Sequence, residues 1–221
     1  MNTITVLSIS TGDISLLSAG TLDAFHAARR IYLRTSRHPV AQWLADHQLP
    51  FETLDTLYDQ ADTFDAFNIS AAQTLVQAAE SSDIVYAVAD AAMDSTVSAL
   101  AGHIDNRDNI IIVPGISHAD RCIALAQADM LDIRLSSAER FLTADAINPS
   151  VSCFLSELHS KACAGACKIK LMQLLDDQTE ILLFQGDDDG RLQKQTIPLY
   201  ALDRQEKYDH LTACLYIASP L

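Results

Sequence analysis

Three short segments of this sequence could form ligand-binding loops; two of them contain glycine or proline with a small polar side chain, and the third contains neither glycine nor proline. Thr11-Gly12-Asp13, Asp90-Ala91-Ala92 and Pro114-Gly115-Ile116-Ser117 each follow an apolar, strand-like run. A loop between a strand and a helix presents backbone N–H groups to a ligand at the carboxyl end of a parallel sheet. Glycine, proline and a capping Asp or Ser also serve ordinary turns, so each segment alone is a weak signal. Their common position predicts one small-molecule site.

A second set of candidate ligands lies in the other half of the chain. His159, Cys163 and Cys167 follow one another at intervals of four residues, on one face of a helix predicted over Glu157 to Leu175. This spacing spreads them along ~12 Å of the helix axis, so one metal ion could reach two of them at most. No further group of cysteines and histidines supplies a fourth ligand. The spacing favours helix packing, and we expect no metal and, from the odd number of five cysteines, reduced thiols.

The sequence has one dense cluster of basic side chains in an otherwise acidic chain. The cluster could bind an anionic substrate. A solvated surface, paired with the acidic helices nearby, is the commoner arrangement for such residues. Its members are Arg29, Arg30, Arg34, Arg37 and His38.

Another polar group, Tyr208-Asp209-His210, could do acid–base chemistry. Such a run before a buried strand more often forms a turn held together by its own hydrogen bonds. The sequence contains no nucleophile elbow and no phosphate-binding loop. The catalytic residues are therefore unknown at this level.

The composition of the 221 residues is that of a globular protein. Hydrophobic residues make up 49% of the chain, and no apolar run reaches the ~20 residues of a membrane span. The start, Met1-Asn2-Thr3, lacks the basic segment of a signal peptide, so we expect a cytoplasmic location. The formal charge of −14 argues against nucleic-acid binding, since nucleic-acid binders carry a basic face.

The order of apolar runs and helical segments predicts an α/β fold with two lobes. In the first half, apolar strands alternate with helices, one of them over Asp55 to Ser82, which is typical of a parallel sheet covered on both faces. In the second half, strand-like runs follow one another with only turns between them, and Asp187-Asp188-Asp189-Gly190 is a hairpin signal. We predict a parallel-sheet lobe over residues 1–112 and a mixed-sheet lobe over residues 113–221. The cleft between two such lobes is the usual ligand site.

Four segments of the chain, in this order, resemble a known protein family. They are YLRTSRHPV (Tyr32 to Val40), DIVYAVAD (Asp83 to Asp90), VPGIS (Val113 to Ser117) and IPLYALDRQEKYDHLTACLYIASPL (Ile197 to Leu221). The last is the most specific, because its pattern P-L-Y-x-L-D-R, then D-H-L-T, then L-Y is long and unusual. The chain resembles, over its whole length, the tetrapyrrole (corrin/porphyrin) methylase family. The likeness is greatest to the branch that forms the N-terminal half of YabN-type proteins, ahead of a MazG nucleotide pyrophosphohydrolase domain.

The resemblance implies a two-lobed fold that binds S-adenosylmethionine and transfers its methyl group to a tetrapyrrole carbon without a metal. The first cofactor loop reads G-x-G-P-G-D in the family and Ser8-Ile9-Ser10-Thr11-Gly12-Asp13 here, so only Gly12 and Asp13 carry over. The second, P-G-H-P in this branch, is Ala89-Asp90-Ala91-Ala92 here, and nothing carries over. The third loop is intact, and it supplies the remaining expected cofactor contacts, Pro114, Gly115, Ile116 and Ser117.

These departures leave three readings of the function in view. One is an S-adenosylmethionine-dependent methyltransferase-like domain with a degenerate cofactor loop, because each serine adds a side chain where the backbone should face the methionine moiety. The alternative is a non-catalytic regulatory or ligand-sensing module that partners a MazG-type domain. A plain dimerisation scaffold is a third reading, and we expect the chain to form a homodimer.

Overall fold

The computed structural model describes residues 2–10, 14–104, 106–128, 132–144, 148–187 and 191–218, and it has the α/β fold expected from the sequence. Contacts within the chain divide it into two units, Met1–His118 and Ala119–Leu221. In the described residues, each unit holds one five-stranded sheet. No helix in this part of the chain is long and apolar enough to cross a lipid bilayer.

The described part of the first unit alternates strands with helices. In chain order these are β1 (Ile4–Ser8), α1 (Ala19–Ala27), β2 (Ile31–Leu33), α2 (Val40–Asp46), β3 (Phe51–Thr53), α3 (Asp55–Gln60), α4 (Phe64–Ser81), β4 (Ile84–Val88), α5 (Ser95–His103) and β5 (Ile110–Val113). All the strands pair in parallel, in the order β3-β2-β4-β1-β5. The parallel sheet predicted from the uninterrupted apolar runs is therefore confirmed.

Helices cover both faces of this sheet, and two separate hydrophobic cores result. On one face, α1 and α2 pack over residues that include Leu7 and Val85. On the other face, α4 and α5 pack over residues that include Val6 and Tyr86. Successive residues of a strand point to opposite faces, which is why Val6 and Leu7 enter different cores. Burial of each large side chain, such as that of Phe25 in α1, contributes roughly 1.5–3 kcal/mol.

The acidic segment from Asp55 to Ser82, predicted as a single helix, forms two. α3 ends at Gln60 and α4 begins at Phe64, because Thr63 has an extended backbone and its hydroxyl accepts the N–H of Ala66 at 3.1 Å. A side-chain cap of this kind stabilises a helix start by about 1 kcal/mol. The sequence pattern therefore predicted that the segment is helical but did not predict the break between α3 and α4.

The second unit carries a mixed sheet. Its described elements are α6 (His118–Ala126), which begins at the boundary, β6 (Ile133–Ser137), α7 (Ala138–Thr143), β7 (Ser152–Ser156), α8 (Lys161–Leu171), β8 (Glu180–Gly186), β9 (Leu192–Pro198) and β10 (Ala213–Tyr216). β6 and β7 pair in parallel, and the other neighbours pair antiparallel, in the order β6-β7-β10-β8-β9. The predicted antiparallel pairing of β8 with β9 is confirmed, although the turn residues Asp188 to Gly190 lie outside the described residues.

The side chain of Arg34, directly after β2, is buried with 4% of its surface exposed. Its Nη1 pairs with Oδ2 of Asp94 and donates to the Thr96 hydroxyl at 3.3 Å. Its Nη2 donates to Oδ1 of Asn68 at 3.4 Å, and the guanidinium lies 5.2 Å from the ring centre of Phe67. Arg34 thus links β2 to α4 and α5. Both sequence interpretations of the basic cluster, a solvated surface and a substrate contact, are wrong for this residue.

We expect Arg34→Met to lower the free energy of unfolding by about 3–5 kcal/mol, because it leaves the Asp94 carboxylate buried without its counter-charge. The measurement is a urea unfolding curve followed by circular dichroism. Arg30→Met is the matched control, since Arg30 pairs with Glu52 at 2.9 Å on the surface, where side-chain exposures are 38% and 58%. That change should cost less than about 1 kcal/mol. Equal losses in the two variants would contradict a structural role for the buried pair.

Candidate functional site

The carboxyl ends of β1 and β4 lie side by side, and their backbone pairing continues past both strands. The N–H of Ile9 donates to the Val88 carbonyl at 2.8 Å, and the N–H of Ser10 donates to the Ala89 carbonyl at 3.0 Å. The chain leaves β1 toward the face covered by α1 and leaves β4 toward the face covered by α5. Strands whose connections part in this way open a crevice at their carboxyl ends, where ligands bind in parallel sheets.

Ser8, the last residue of β1, bridges the first loop to the second. Its Oγ accepts the backbone N–H of Ala91 at 3.0 Å, and the residue is 7% exposed. The next N–H of the second loop, that of Ala92, donates to the Asp90 carboxylate at 3.1 Å. Side chains of the protein therefore already accept from two backbone donors at this edge.

Ser10 has the backbone conformation of a glycine. Its φ of 53° lies in the left-handed region, which costs a residue with a side chain roughly 1–2 kcal/mol. Its carbonyl accepts a hydrogen bond of 2.9 Å from Nε2 of His38, while Nδ1 of the same ring accepts the N–H of Val40 at 3.1 Å. These two contacts require the ring hydrogen on Nε2. His38 is 5% exposed, so the surface interpretation of the basic cluster is wrong for this residue too.

The third loop, Pro114 to Ser117, approaches the first so closely that one position admits glycine alone. A Cβ added to Gly115 would lie 2.7 Å from the backbone carbonyl oxygen of Ser8, well inside contact distance. The hydroxyl of Ser10 lies 3.5 Å from the carbonyl oxygen of Ser117. Pro114 and Ile116 are exposed to solvent.

The structure therefore brings four of the six expected cofactor contacts to this edge of the sheet, namely Pro114, Gly115, Ile116 and Ser117. Gly12 and Asp13 lie outside the described residues. Sequence reasoning missed His38 as part of the loop framework, although its place before Pro39 and the helix start was a usable signal.

Arg29 and Arg30 directly precede β2 and so lie at the amino end of that strand, away from these loops. Arg37 is exposed, as a solvated surface requires, and Arg29 is exposed beside a hollow of about 210 Å³. This hollow is at the opposite edge of the sheet, since Thr5 and Ile84 from the starts of β1 and β4 line it. The cluster thus forms no single anion site in the described part of the first unit.

Tyr208 and Asp209 form a turn held by its own hydrogen bonds, which confirms the structural interpretation of that segment. The Tyr208 hydroxyl donates to the Leu202 carbonyl at 2.7 Å. Oδ1 of Asp209 accepts the N–H of Leu211 at 2.9 Å and the hydroxyl of Thr212 at 3.1 Å. Burial raises the pKa of Tyr208 further above the physiological range, so it stays protonated.

The second set of candidate ligands has a different geometry from the one predicted. α8 begins at Lys161 rather than near Glu157, because Ser160 caps it and Glu157 has a φ of 58° that no helix continues through. His159 therefore precedes the helix. Its Nε2 lies 3.3 Å from Oε1 of Glu139, a residue of α7 that the sequence pattern did not single out.

Cys163, in the first turn of α8, completes this group. A hydrogen bond from the Cys167 thiol, together with the adjacent His159, lowers the pKa of Cys163 to about 6 against the opposing effect of burial. Burial by itself would lower the pKa of His159. The contacts of His159 with Cys163 and Glu139 outweigh burial and raise this pKa above its usual value. All five cysteines of the chain are among the described residues, and none forms a disulfide.

Comparison with known proteins gives the fold a context. No protein-family model matches this sequence. The chain is 25% identical, over 213 residues and 95% of its length, to the uncharacterized protein YabN of Bacillus subtilis (strain 168), and it spans 44% of that protein.

Two solved structures have the same fold. One is the methyltransferase CobJ, with a TM-score of 0.63, 15% identity, and coverage of 97% of this chain and 93% of the other. The second is uroporphyrin-III-C-methyltransferase from Thermus thermophilus, with a TM-score of 0.65, 11% identity, and coverage of 97% and 91%. The two-sheet α/β architecture of this chain is thus that of tetrapyrrole- and cobalamin-synthesis methylases.

We expect Gly115→Ala to destabilise the first unit by about 1–3 kcal/mol, because its Cβ would collide with the Ser8 carbonyl and push the first and third loops apart. The thermal unfolding midpoint measures this effect. Gly102→Ala is the matched control, since no atom lies within 4 Å of the added Cβ and the position is helical. There alanine should be neutral or stabilising by up to about 1 kcal/mol. Indistinguishable midpoints would show that the loops yield freely.

Proposed function

We propose that this chain is a methyltransferase-like domain of the tetrapyrrole methylase type whose S-adenosylmethionine site is degenerate. The observation that carries the proposal is the hydrogen bond from the Ala91 N–H to the Ser8 hydroxyl. Ser8 stands where the resembled family has the first glycine of its cofactor loop. A hydroxyl at this position fills space beside the second loop and takes a donor that a ligand would otherwise use.

The rest of the edge supports the same proposal. The N–H of Ser10 is bound to the Ala89 carbonyl, and the N–H of Ala92 is bound to the Asp90 carboxylate. The contact to a bound cofactor would come from Gly12, Asp13 and the loop from Pro114 to Ser117. S-adenosylmethionine carries an electrophilic methyl group of its own, so a domain that still bound it would chiefly have to align donor and acceptor.

We expect the purified chain to bind S-adenosylmethionine weakly or not at all and to carry none through purification. The loss of a few well-made contacts, at about 1 kcal/mol each, lowers affinity a hundredfold or more. Isothermal titration calorimetry with S-adenosylmethionine and S-adenosylhomocysteine is the measurement. Tight binding by the unmodified chain, or S-adenosylhomocysteine found in the purified protein, would contradict the proposal and favour an active methyltransferase.

A restored variant tests the cause. It combines Ser8→Gly, Ser10→Gly and Thr11→Pro with the replacement of residues 89–92 by Pro-Gly-His-Pro, and it should raise the affinity for S-adenosylmethionine. Ser150→Gly, in an exposed turn of the second unit, controls for the general effect of glycine. If the restored variant folds by circular dichroism and binds no better than the control, the altered loops are not the reason for weak binding.

A second candidate is a regulatory module that acts on a MazG-type nucleotide pyrophosphohydrolase. The observation that favours it is that the Bacillus subtilis relative is more than twice as long as the matched region. The purified chain, added to a purified MazG-type domain, should then change its rate of pyrophosphate release at least twofold. The Arg30→Met variant serves as a folded control. An unchanged rate at the highest chain concentration tested, together with no complex between the two proteins by light scattering, would count against this candidate.

A further inference from the structure

We propose that Glu139, His159 and Cys163 form a binding site for a transition-metal ion, with Zn²⁺ as the best fit. One carboxylate oxygen, one imidazole nitrogen and the thiol sulfur of these residues all lie within 4.8 Å of one another. The expectation of no metal rested on donors from one helix only. The structure adds a donor from a different helix, so that argument no longer holds.

Parallel pairing of β6 with β7 creates the site. The last residues of the two strands, Ser137 and Ser156, are partners in the ladder, so the segments that follow them start next to each other. α7 follows β6 at once and carries Glu139 in its first turn. The segment after β7 carries His159, and α8 then places Cys163 in its own first turn.

Backbone hydrogen bonds hold the segments that carry His159 and Cys163 in position. The N–H of Leu158 donates to the Thr212 carbonyl at 2.9 Å, which fixes the segment before His159 to the turn that precedes β10. The N–H of Cys163 donates to the cap residue Ser160 at 3.1 Å. A site whose donors are fixed by the fold loses little conformational entropy when an ion binds.

The donor types and their spacing select the metal. Zn²⁺ takes nitrogen, sulfur and carboxylate ligands in a tetrahedron, whereas Ca²⁺ and Mg²⁺ take oxygen ligands. With Zn–N and Zn–O distances of about 2.0–2.2 Å, two such ligand atoms lie roughly 3.3–3.6 Å apart. Nε2 of His159 and Oε1 of Glu139 are 3.3 Å apart. The Cys163 sulfur completes the set after a side-chain movement on the order of 1 Å, and a water molecule takes the fourth position.

Burial favours the site and still leaves a route to it. Cys163 is 7% exposed and belongs to the apolar core of the second unit, together with Phe141 and Leu155. An apolar surround strengthens the attraction between a cation and its ligands. The side chain of Glu139 is 35% exposed, so an ion can enter from that side.

Titration of the metal-free chain with Co²⁺ tests the proposal. We expect saturable binding of one ion per chain, with a thiolate-to-cobalt absorption band that Zn²⁺ abolishes by displacement. Cys163→Ala and His159→Ala should each weaken Co²⁺ binding at least tenfold, and Glu139→Gln, which keeps the size of a partly exposed side chain, should weaken it severalfold. His103→Ala and Cys153→Ala are matched controls outside the site and should bind as the unmodified chain does.

Cys167→Ala tests the choice of ligands, since Cys167 lies one turn further along α8 and is outside the proposed set. It should retain the cobalt band and lose less affinity than Cys163→Ala, because it removes only the hydrogen bond from the Cys167 thiol to Cys163. Unfolding midpoints without metal show which variants are folded. Zn²⁺ should raise the unfolding midpoint of the unmodified chain by more than it raises that of Glu139→Gln. Absence of saturable binding, a band unaffected by Cys163→Ala, or equal loss in Cys167→Ala would overturn the proposal. Rapid alkylation of Cys163 that Zn²⁺ does not slow would do so as well, and would indicate a thiol nucleophile instead.

Discussion

The buried guanidinium of Arg34 constrains the whole carboxyl edge of the first sheet. A charge removed from water costs several kcal/mol unless a counter-charge and hydrogen-bond acceptors surround it, so β2, α4 and α5 have to meet at one point. Asp94 supplies the counter-charge and also caps α5, because its Oδ1 accepts the N–H of Val97 at 3.0 Å. The loop between β4 and α5 is therefore fixed at both ends, by the sheet at Val88 and by the ion pair at Asp94. Its short length then leaves little freedom for the residues between them.

Positions 10 and 115, in the first and third loops, illustrate two different reasons why a backbone position favours glycine. At Ser10 the requirement is conformational, and a serine meets it with strain because the ladder to Ala89 and the ring of His38 hold the backbone in place. At Gly115 the requirement is steric, since any Cβ would meet the Ser8 carbonyl at 2.7 Å. Strain of about 1–2 kcal/mol can be offset by neighbouring hydrogen bonds, whereas a collision with backbone atoms moves the loop itself. This difference explains why the chain tolerates a serine at position 10, whereas position 115 requires glycine.

The fold class could be predicted from the sequence because it depends on local patterns. Apolar runs such as β1 and β4 identify buried parallel strands, and the repeated strands of the second half identify antiparallel pairing. The environments of Arg34 and Glu139 could not be predicted in the same way. Arg34 meets its counter-charge 60 residues further along the chain, and Glu139 meets His159 at a separation of 20 residues. Both contacts depend on which strands are neighbours, and residue spacing does not carry that information.

Hydrogen bonds that the protein already makes to the loop N–H groups stabilise the carboxyl edge of the first sheet, and they also reduce its ability to bind a ligand. A loop that faces a ligand needs backbone donors whose acceptors arrive with that ligand. Here Ser8 and Asp90 already accept from Ala91 and Ala92, and the Ala89 carbonyl accepts from Ser10. A ligand that used these donors would first break bonds worth about 1 kcal/mol each and would gain bonds of similar strength, so the net gain per contact approaches zero. The same bonds stabilise the folded chain in the absence of any ligand, and the free energy that binding would otherwise supply is already part of the folded state.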